Sequence, residues 1–217
     1  AGMLPHRGPA GQPTAKTGLD VQTMLTSGLK GYMLLGLEPE LDSWNGAAAL
    51  AAMKQAEFVV SLSAYRTPTI ESYANVMLPV ALFAETSGTY VNVEGRWQSF
   101  TGAVTPPEEA RPAWKILRVL GNLFDLTGFD YMASDEVREE LRQQVGDNLP
   151  DNRLAWKIPS NLSTEEAGKG LQRITEMPIY ATDALVRRAG ALQRTVDAKM
   201  TTGIHIHPKV ANQVNLS

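Results

Sequence analysis

Three short apolar runs, spaced by stretches patterned as helices, constrain the fold of this chain more than any other feature. Residues 31–37 read GYMLLGL, residues 58–62 read FVVSL and residues 76–80 read VMLPV. Near-continuous apolar runs of this length suit strands buried on both faces of a parallel sheet. Between the first and second runs, Ser43 or Asn45 is placed to cap a helix reaching about Gln55, with Ala48, Ala52 and Ala56 along it. Between the second and third, Thr67-Pro68 turns the chain and a short helix is predicted near 70–74. Strand, helix, strand at this spacing is a βαβ unit whose crossover should be right-handed. The predicted fold class is α/β, a mostly parallel sheet with flanking helices.

The rest of the chain changes character twice. Residues 84–107 contain Gly88, Gly95, Gly102, Pro106 and Pro107 between β-prone pieces at 89–93 and 97–100, the pattern of a shaped ribbon over the sheet. Pro112 can occupy the first turn of a helix with Ile116, Leu117, Leu120, Leu123 and Phe124 on one face and Gly128 ending it. Ser134 should cap a further helix near 135–145, with Asp135 and Glu136 in its first turn and Val137, Leu141 and Val145 as its stripe. Ser163 to Glu166 reads as a capping box opening a weaker helix broken by Gly168 and Gly170. Thr182 or Asp183 should cap a last helix that turns Leu185, Val186, Ala189 and Leu192 inward. The alternation at 203–217 predicts the start of a β unit. The predicted division is a Rossmann-like α/β domain over 1–127, a helical extension over 128–195 and the start of a barrel-like β domain over 196–217. Residues 1–18, with Pro5, Pro9 and Pro13, read as an irregular stretch, which suggests a piece of something longer.

Composition removes several chemistries. The chain has no cysteine, so it offers no disulfide, no thiolate zinc site and no cysteine ligand for an iron–sulfur cluster. A net charge of -3 gives no basic footprint for nucleic acid. No apolar run approaches the roughly 20 residues of a membrane-spanning helix, and no secretory leader is visible at residues 1–18. Neither GxxxxGK[ST] nor GxGxxG occurs, so mononucleotide or NAD binding has no positive signal. No serine lies in a recognisable triad context. His205 and His207 would share a face of a strand, but two ligands leave a metal site incomplete, and neither metal-binding nor catalytic residues are expected.

The third run continues as YANVMLPVALFAETSGTYVNVEGRWQ, residues 73–98. This resembles a signature of the molybdopterin oxidoreductase family, a strand ending Leu-Pro followed by Glu-x-x-Gly-Thr-x-x-Asn-x-Glu-Gly-Arg-x-Gln. The matching positions are Leu78, Pro79, Glu85, Gly88, Thr89, Asn92, Glu94, Gly95, Arg96 and Gln98, while Asn75 stands where the signature has Asp. The segment LLGLEPELD, residues 34–42, resembles the family's Gly-x-Asn-Pro loop, with Pro39 matched and Glu38 in place of Asn. LPHRGPAG (4–11), GLD (18–20) and PIYATDALVRRAGALQRT (178–195) are similar to the branch containing the large iron–sulfur subunit of NADH–quinone oxidoreductase, respiratory complex I.

The resemblance implies a non-catalytic structural region of that subunit. Iron–sulfur clusters would lie elsewhere in the parent polypeptide, no cofactor would bind here, and the partners would be other subunits of the complex. The implied location is peripheral, on the cytoplasmic side of a bacterial inner membrane, without direct membrane insertion. The alternative is a fragment of a molybdenum enzyme, such as a formate dehydrogenase or nitrate reductase, that contacts a pterin dinucleotide. In that case the candidate cofactor residues are Glu85, Thr89, Asn92 and Arg96. The blander reading is that Glu85, Asn92, Glu94 and Arg96 satisfy one another and nearby backbone groups in a glycine-shaped turn. Glu38, Glu40 and Asp42 weigh against a pyrophosphate at the first strand's end, since carboxylate and phosphate repel by on the order of 1 kcal/mol or more even when screened. Arg187, Arg188 and Arg194 form a basic patch suited either to solvent or to a subunit contact.

Overall fold

The computed structural model describes residues 19–146, Leu171, Ile174 and residues 178–214. The expectations for 1–18 and for the capping box at 163–166 lie outside the described residues. The chain divides into two compact units, Ala1–Trp156 and Lys157–Ser217.

The first unit contains the predicted parallel sheet. Its elements run α1 (Val21–Thr26), β1 (Gly31–Leu35), α2 (Pro39–Asp42), α3 (Gly46–Gln55), β2 (Phe58–Ser63), α4 (Pro68–Glu71) and β3 (Val76–Pro79). The strand order is β1-β2-β3, both pairings parallel, with Leu34 opposite Ser61 and Ser61 opposite Met77. Asn45 is the cap of α3, its side chain accepting from the Ala48 N–H at 3.1 Å. Thr67 caps α4 in the same way, with Pro68 in its first turn. Asn75 earns its place at the head of β3, where its side-chain oxygen accepts from the Val59 N–H at 2.6 Å and its own N–H donates to the Val59 carbonyl.

One face of this sheet carries the core. Leu34, Ala52, Met53, Val59, Ile70 and Tyr73 are buried together, with Leu25, Leu50 and Met77 packed against them. Each large side chain buried here is worth about 1.5–3 kcal/mol relative to exposure. The other face is covered at Leu62, which is fully buried, but departs from the expectation of strands covered on both sides along β1. Met33 and Leu35 are 55% and 51% exposed, because β1 is an edge strand and α1, α3 and α4 all contribute to the opposite face.

After β3 a single 3₁₀ turn, Phe83–Glu85, leads into the predicted ribbon. It is an antiparallel pair, β4 (Gly88–Val91) and β5 (Trp97–Phe100), with Gly88 opposite Phe100. Gly88 is needed there: a Cβ would sit 3.0 Å from the Phe100 ring, which stacks instead on Tyr90 at 5.0 Å. Helix α5 (Ala113–Leu123) follows, with Pro112 one position outside it as the cap residue. Its end is also earlier than expected. Asp125, at φ 53°, takes the left-handed position, and Leu126 and Asp125 donate back to the Gly121 and Asn122 carbonyls. Those two bonds close the helix before Gly128. Of its predicted apolar face, Ile116, Leu117 and Leu120 are half-buried, whereas Leu123 and Phe124 are exposed. Helix α6 (Ser134–Val145) begins at Ser134 rather than being capped by it, and Val145 is buried at its far end.

The second unit is a chain of short helical turns: α7 (Ala184–Arg187), α8 (Gly190–Gln193), α9 (Val196–Met200) and α10 (Pro208–Gln213). The continuous last helix of the sequence reading is thus three turns. Asp183 caps α7 as expected, but Ala189 leaves helical geometry before Gly190, and Thr195 stops α8 by capping α9. At 203–214 the regular element is helical, with His207 accepting from Lys209 N–H and Pro208 opening α10. No strand occurs among the described residues of this stretch. An alternating sequence becomes a strand only when another strand is there to bond it.

Candidate functional site

In open α/β sheets, ligands sit beyond the carboxyl ends of the strands. Here that position is occupied first by the loop from β1 into α2. Gly36 turns it with φ 59°. Glu38 and Pro39 are buried. The Glu38 N–H, which could otherwise face a ligand, donates to the Asp42 carboxylate at 2.8 Å. The Tyr73 hydroxyl donates to Glu40 at 3.2 Å and ties the loop to the core. Burial, and then the charge and hydrogen bond of Glu40 with the nearby Glu38 and Asp42, push the Tyr73 phenol well above its ordinary value near 10. Gly46 fixes the far side: a Cβ would stand 2.1 Å from the Glu40 carbonyl oxygen, so the start of α3 can approach only as glycine. The loop therefore presents Glu40 and Asp42, keeps Glu38 buried, and already uses the Glu38 N–H.

The signature residues lie on the ribbon, and they are separated rather than gathered. Glu85 closes the 3₁₀ turn by accepting from the Leu82 N–H at 2.9 Å. Thr89 pairs across the strands with Ser99 at 3.0 Å. Asn92 accepts from both the Glu94 and Arg96 N–H groups, at 3.1 and 2.9 Å, and so shapes the turn that Gly95 completes with φ 80°. The Arg96 side chain is exposed at the end of the ribbon. Glu85, Thr89 and Asn92 thus each hydrogen-bond to nearby groups of the ribbon or of the turn before it.

Beside the ribbon lies an open cleft of about 1090 Å³, walled by Glu85, Ser87, Phe100, Arg111, Trp114 and Arg138 among others. Sequence reasoning did not single out its far wall. The Ser87 and Ser134 hydroxyls are 2.7 Å apart, and Arg138 donates to Ser99 and to Asp135, each at 2.9 Å. Arg142 stands over the Trp97 ring at 5.5 Å. These contacts pin α6 to the ribbon. The signal in the sequence was only indirect: arginines four apart on a helix share a face, but nothing in the spacing names their partner.

His205 bonds the Thr202 carbonyl and His207 caps α10. Among the described residues, no group of three or more His, Cys, Asp or Glu side chains is arranged to hold a metal ion. Arg187 and Arg188 donate to the Ala181 and Ala184 carbonyls of their own segment. No helix among the described residues is long and apolar enough to cross a membrane.

A family model described as Molybdopterin oxidoreductase matches residues 9–123, more than half of the chain. The NADH-ubiquinone oxidoreductase 78 kDa subunit of Candida albicans is 53% identical over 49 residues, 23% of this chain and 7% of that protein. The assimilatory nitrate reductase catalytic subunit of Bacillus subtilis is 28% identical over 124 residues, 57% of this chain and 17% of the relative. The F420-dependent formate dehydrogenase subunit alpha of Methanocaldococcus jannaschii is 29% identical over 131 residues, 58% of this chain and 19% of the relative. The chain spans less than a fifth of the length of each of these three relatives.

Proposed function

The chain belongs to the molybdopterin oxidoreductase family, and from that premise we propose that it is a structural, cofactor-free part of the large iron–sulfur subunit of an NADH–quinone oxidoreductase. The observation that carries this reading is the acidic, self-bonded loop after β1. A pterin dinucleotide would bring a pyrophosphate to the strand ends, where anions are held by free backbone N–H groups and cations. Glu38, Glu40 and Asp42 supply the opposite charge there, and the Asp42 carboxylate already holds the Glu38 N–H. The residues present do not fit the group, and no chemical step is assigned to it. The absence of cysteine adds that no thiolate-held cluster resides in this chain. The 53% identity to the complex I relative supports the same branch.

In this role the segment braces a peripheral arm. Its partners are the other subunits of the complex, and it needs neither nucleic acid nor membrane insertion. Arg187 and Arg188 are candidate subunit contacts, so the pair R187E and R188E should weaken assembly. A second reading has its own support: the nitrate reductase and formate dehydrogenase relatives align over more of the chain than the complex I relative does. In that reading Glu85, Thr89, Asn92 and Arg96 border a pterin. Metal and pterin analysis of the longer polypeptide carrying this segment separates the two. Iron without molybdenum or tungsten, and no pterin, is expected. A stoichiometric pterin dinucleotide with molybdenum would overturn the first reading in favour of the second.

A further inference from the structure

Charge is divided unevenly along the chain. Residues 19–146 carry sixteen acidic side chains against nine Arg and Lys, whereas residues 178–214 carry five Arg and Lys against two acids, Asp183 and Asp197. A chain that is acidic as a whole thus contains one basic unit, and such an asymmetry of sign governs what each surface attracts. Both acids of that unit are placed for local work. Asp183 accepts from the Leu185 and Val186 N–H groups, and Asp197 sits in the first turn of α9, where the helix dipole favours it. Arg194, Lys199 and Lys209 are exposed, and none of them forms an ion pair among the described residues.

The apolar residues beside these cations face the wrong way for a solvated surface. In α9 the buried residue is the small Ala198, while Val196 and Met200 are 72% and 65% exposed. At about 100° of rotation per residue, both lie roughly 160° round the helix from Ala198 and so share its outward face. Ile204, just beyond the helix, is 95% exposed. A helix that meets only water turns its large apolar residues inward. Here Lys199 lies on α9 among them, and Arg194 stands one residue before the cap, Thr195. Apolar side chains bordered by charge are the composition of a protein interface, with its dry centre and polar rim.

We propose that the outward face of α9 docks an acidic surface of a partner subunit, whose carboxylates meet Arg194, Lys199 and Lys209 around an apolar contact on Val196, Met200 and Ile204. Charge complementarity selects this occupant. The cations of the second unit attract an acidic partner, and the sixteen acids of residues 19–146 repel the same partner, which confines the contact to one part of the chain. A membrane surface fits less well. Interfacial binding needs a helix with a continuous apolar face, and the longest helix among the described residues of this unit, α10, has six residues. Residues 178–214 also contain no Trp or Phe to anchor at the level of lipid headgroups.

This inference rests on the chain being part of an assembled subunit, but not on whether that assembly holds a pterin. The test is footprinting by mass spectrometry, with acylation of Lys199 and oxidation of Met200, in the purified assembly and in the isolated longer polypeptide. Both residues should react at least about tenfold more slowly in the assembly, because an interface excludes water from its centre. Equal, fast reaction in both would overturn the interface. Protection already present in the isolated polypeptide would overturn the partner, since its own chain or a second copy would be the cover. The pair K199E and K209E reads the charge. It should weaken retention of the partner about tenfold, and added salt should loosen the wild-type contact. Retention unchanged by the pair would overturn the acidic partner. Binding of the longer polypeptide to phosphatidylglycerol vesicles, lost in the pair, would overturn it in favour of a lipid surface. Metal and pterin content do not depend on these results, so failure of the interface and failure of the functional reading are distinguishable.

Discussion

The β1–β3 sheet and the β4–β5 ribbon with α6 are held by different forces. The sheet is held by apolar burial, with Met53, Val59 and Ile70 almost fully removed from water. The ribbon contributes little to that core, and its form depends on directed polar contacts: Asn92 within the turn, Thr89 to Ser99, and Ser134 and Arg138 across to it. Burial is strong but tolerates variation in partner. Hydrogen bonds are individually weaker, but they specify one geometry. The family signature spans both regions, and its polar half lies in the one that is specified by hydrogen bonds.

The largest expected break is in the sheet. Ile70→Ala should cost about 3 kcal/mol in urea unfolding, because its pocket is lined by residues that cannot collapse without moving the sheet. The ribbon should respond differently. Asn92→Ala removes two accepted backbone bonds and should cost about 1–2 kcal/mol. The loss should appear as faster hydrogen exchange at the Glu94 and Arg96 amides, with the Val59 amide unaffected. If core exchange accelerates equally, the two regions unfold as one and the contrast fails. The smallest effect tests the polar tie on the sheet side. Tyr73→Phe removes the bond to Glu40 and should cost about 1 kcal/mol near neutral pH. The sign of its pH dependence follows from the phenol being pushed up in the folded state. A group with a raised folded value stabilises fully below its unfolded value near 10, and that contribution is lost as pH rises beyond it. Wild-type stability should therefore fall more steeply above about pH 10 than that of the Tyr73→Phe variant. Parallel curves would show that Tyr73 does not report on this loop.

Much of this was legible in the sequence. The three apolar runs became β1, β2 and β3, Asn45 and Asp183 became caps, and the two β-prone pieces became the ribbon. These outcomes depend on local periodicity and on side chains reaching backbone groups within four residues, information that lies in adjacent letters. The misses share a different cause. The end of α5 at Asp125, the division of the last helix into turns, and the helical start at Pro208 rest on local turns and caps that the periodicity of the sequence did not mark.

The candidate site divides the same way. Sequence alone determined the family, the missing thiolates and the acidic loop at 38–42, because these are properties of residue type. Only the tertiary structure decided that Glu38 turns inward, that Asp42 consumes its N–H, and that Glu85, Thr89 and Asn92 are committed to local partners. It also decided that, on the sheet face away from α3, Leu62 is buried while Met33 and Leu35 of the edge strand β1 are exposed. A strand's letters record that it must be covered. What covers it is set by elements far away in the chain, and their placement depends on the whole fold.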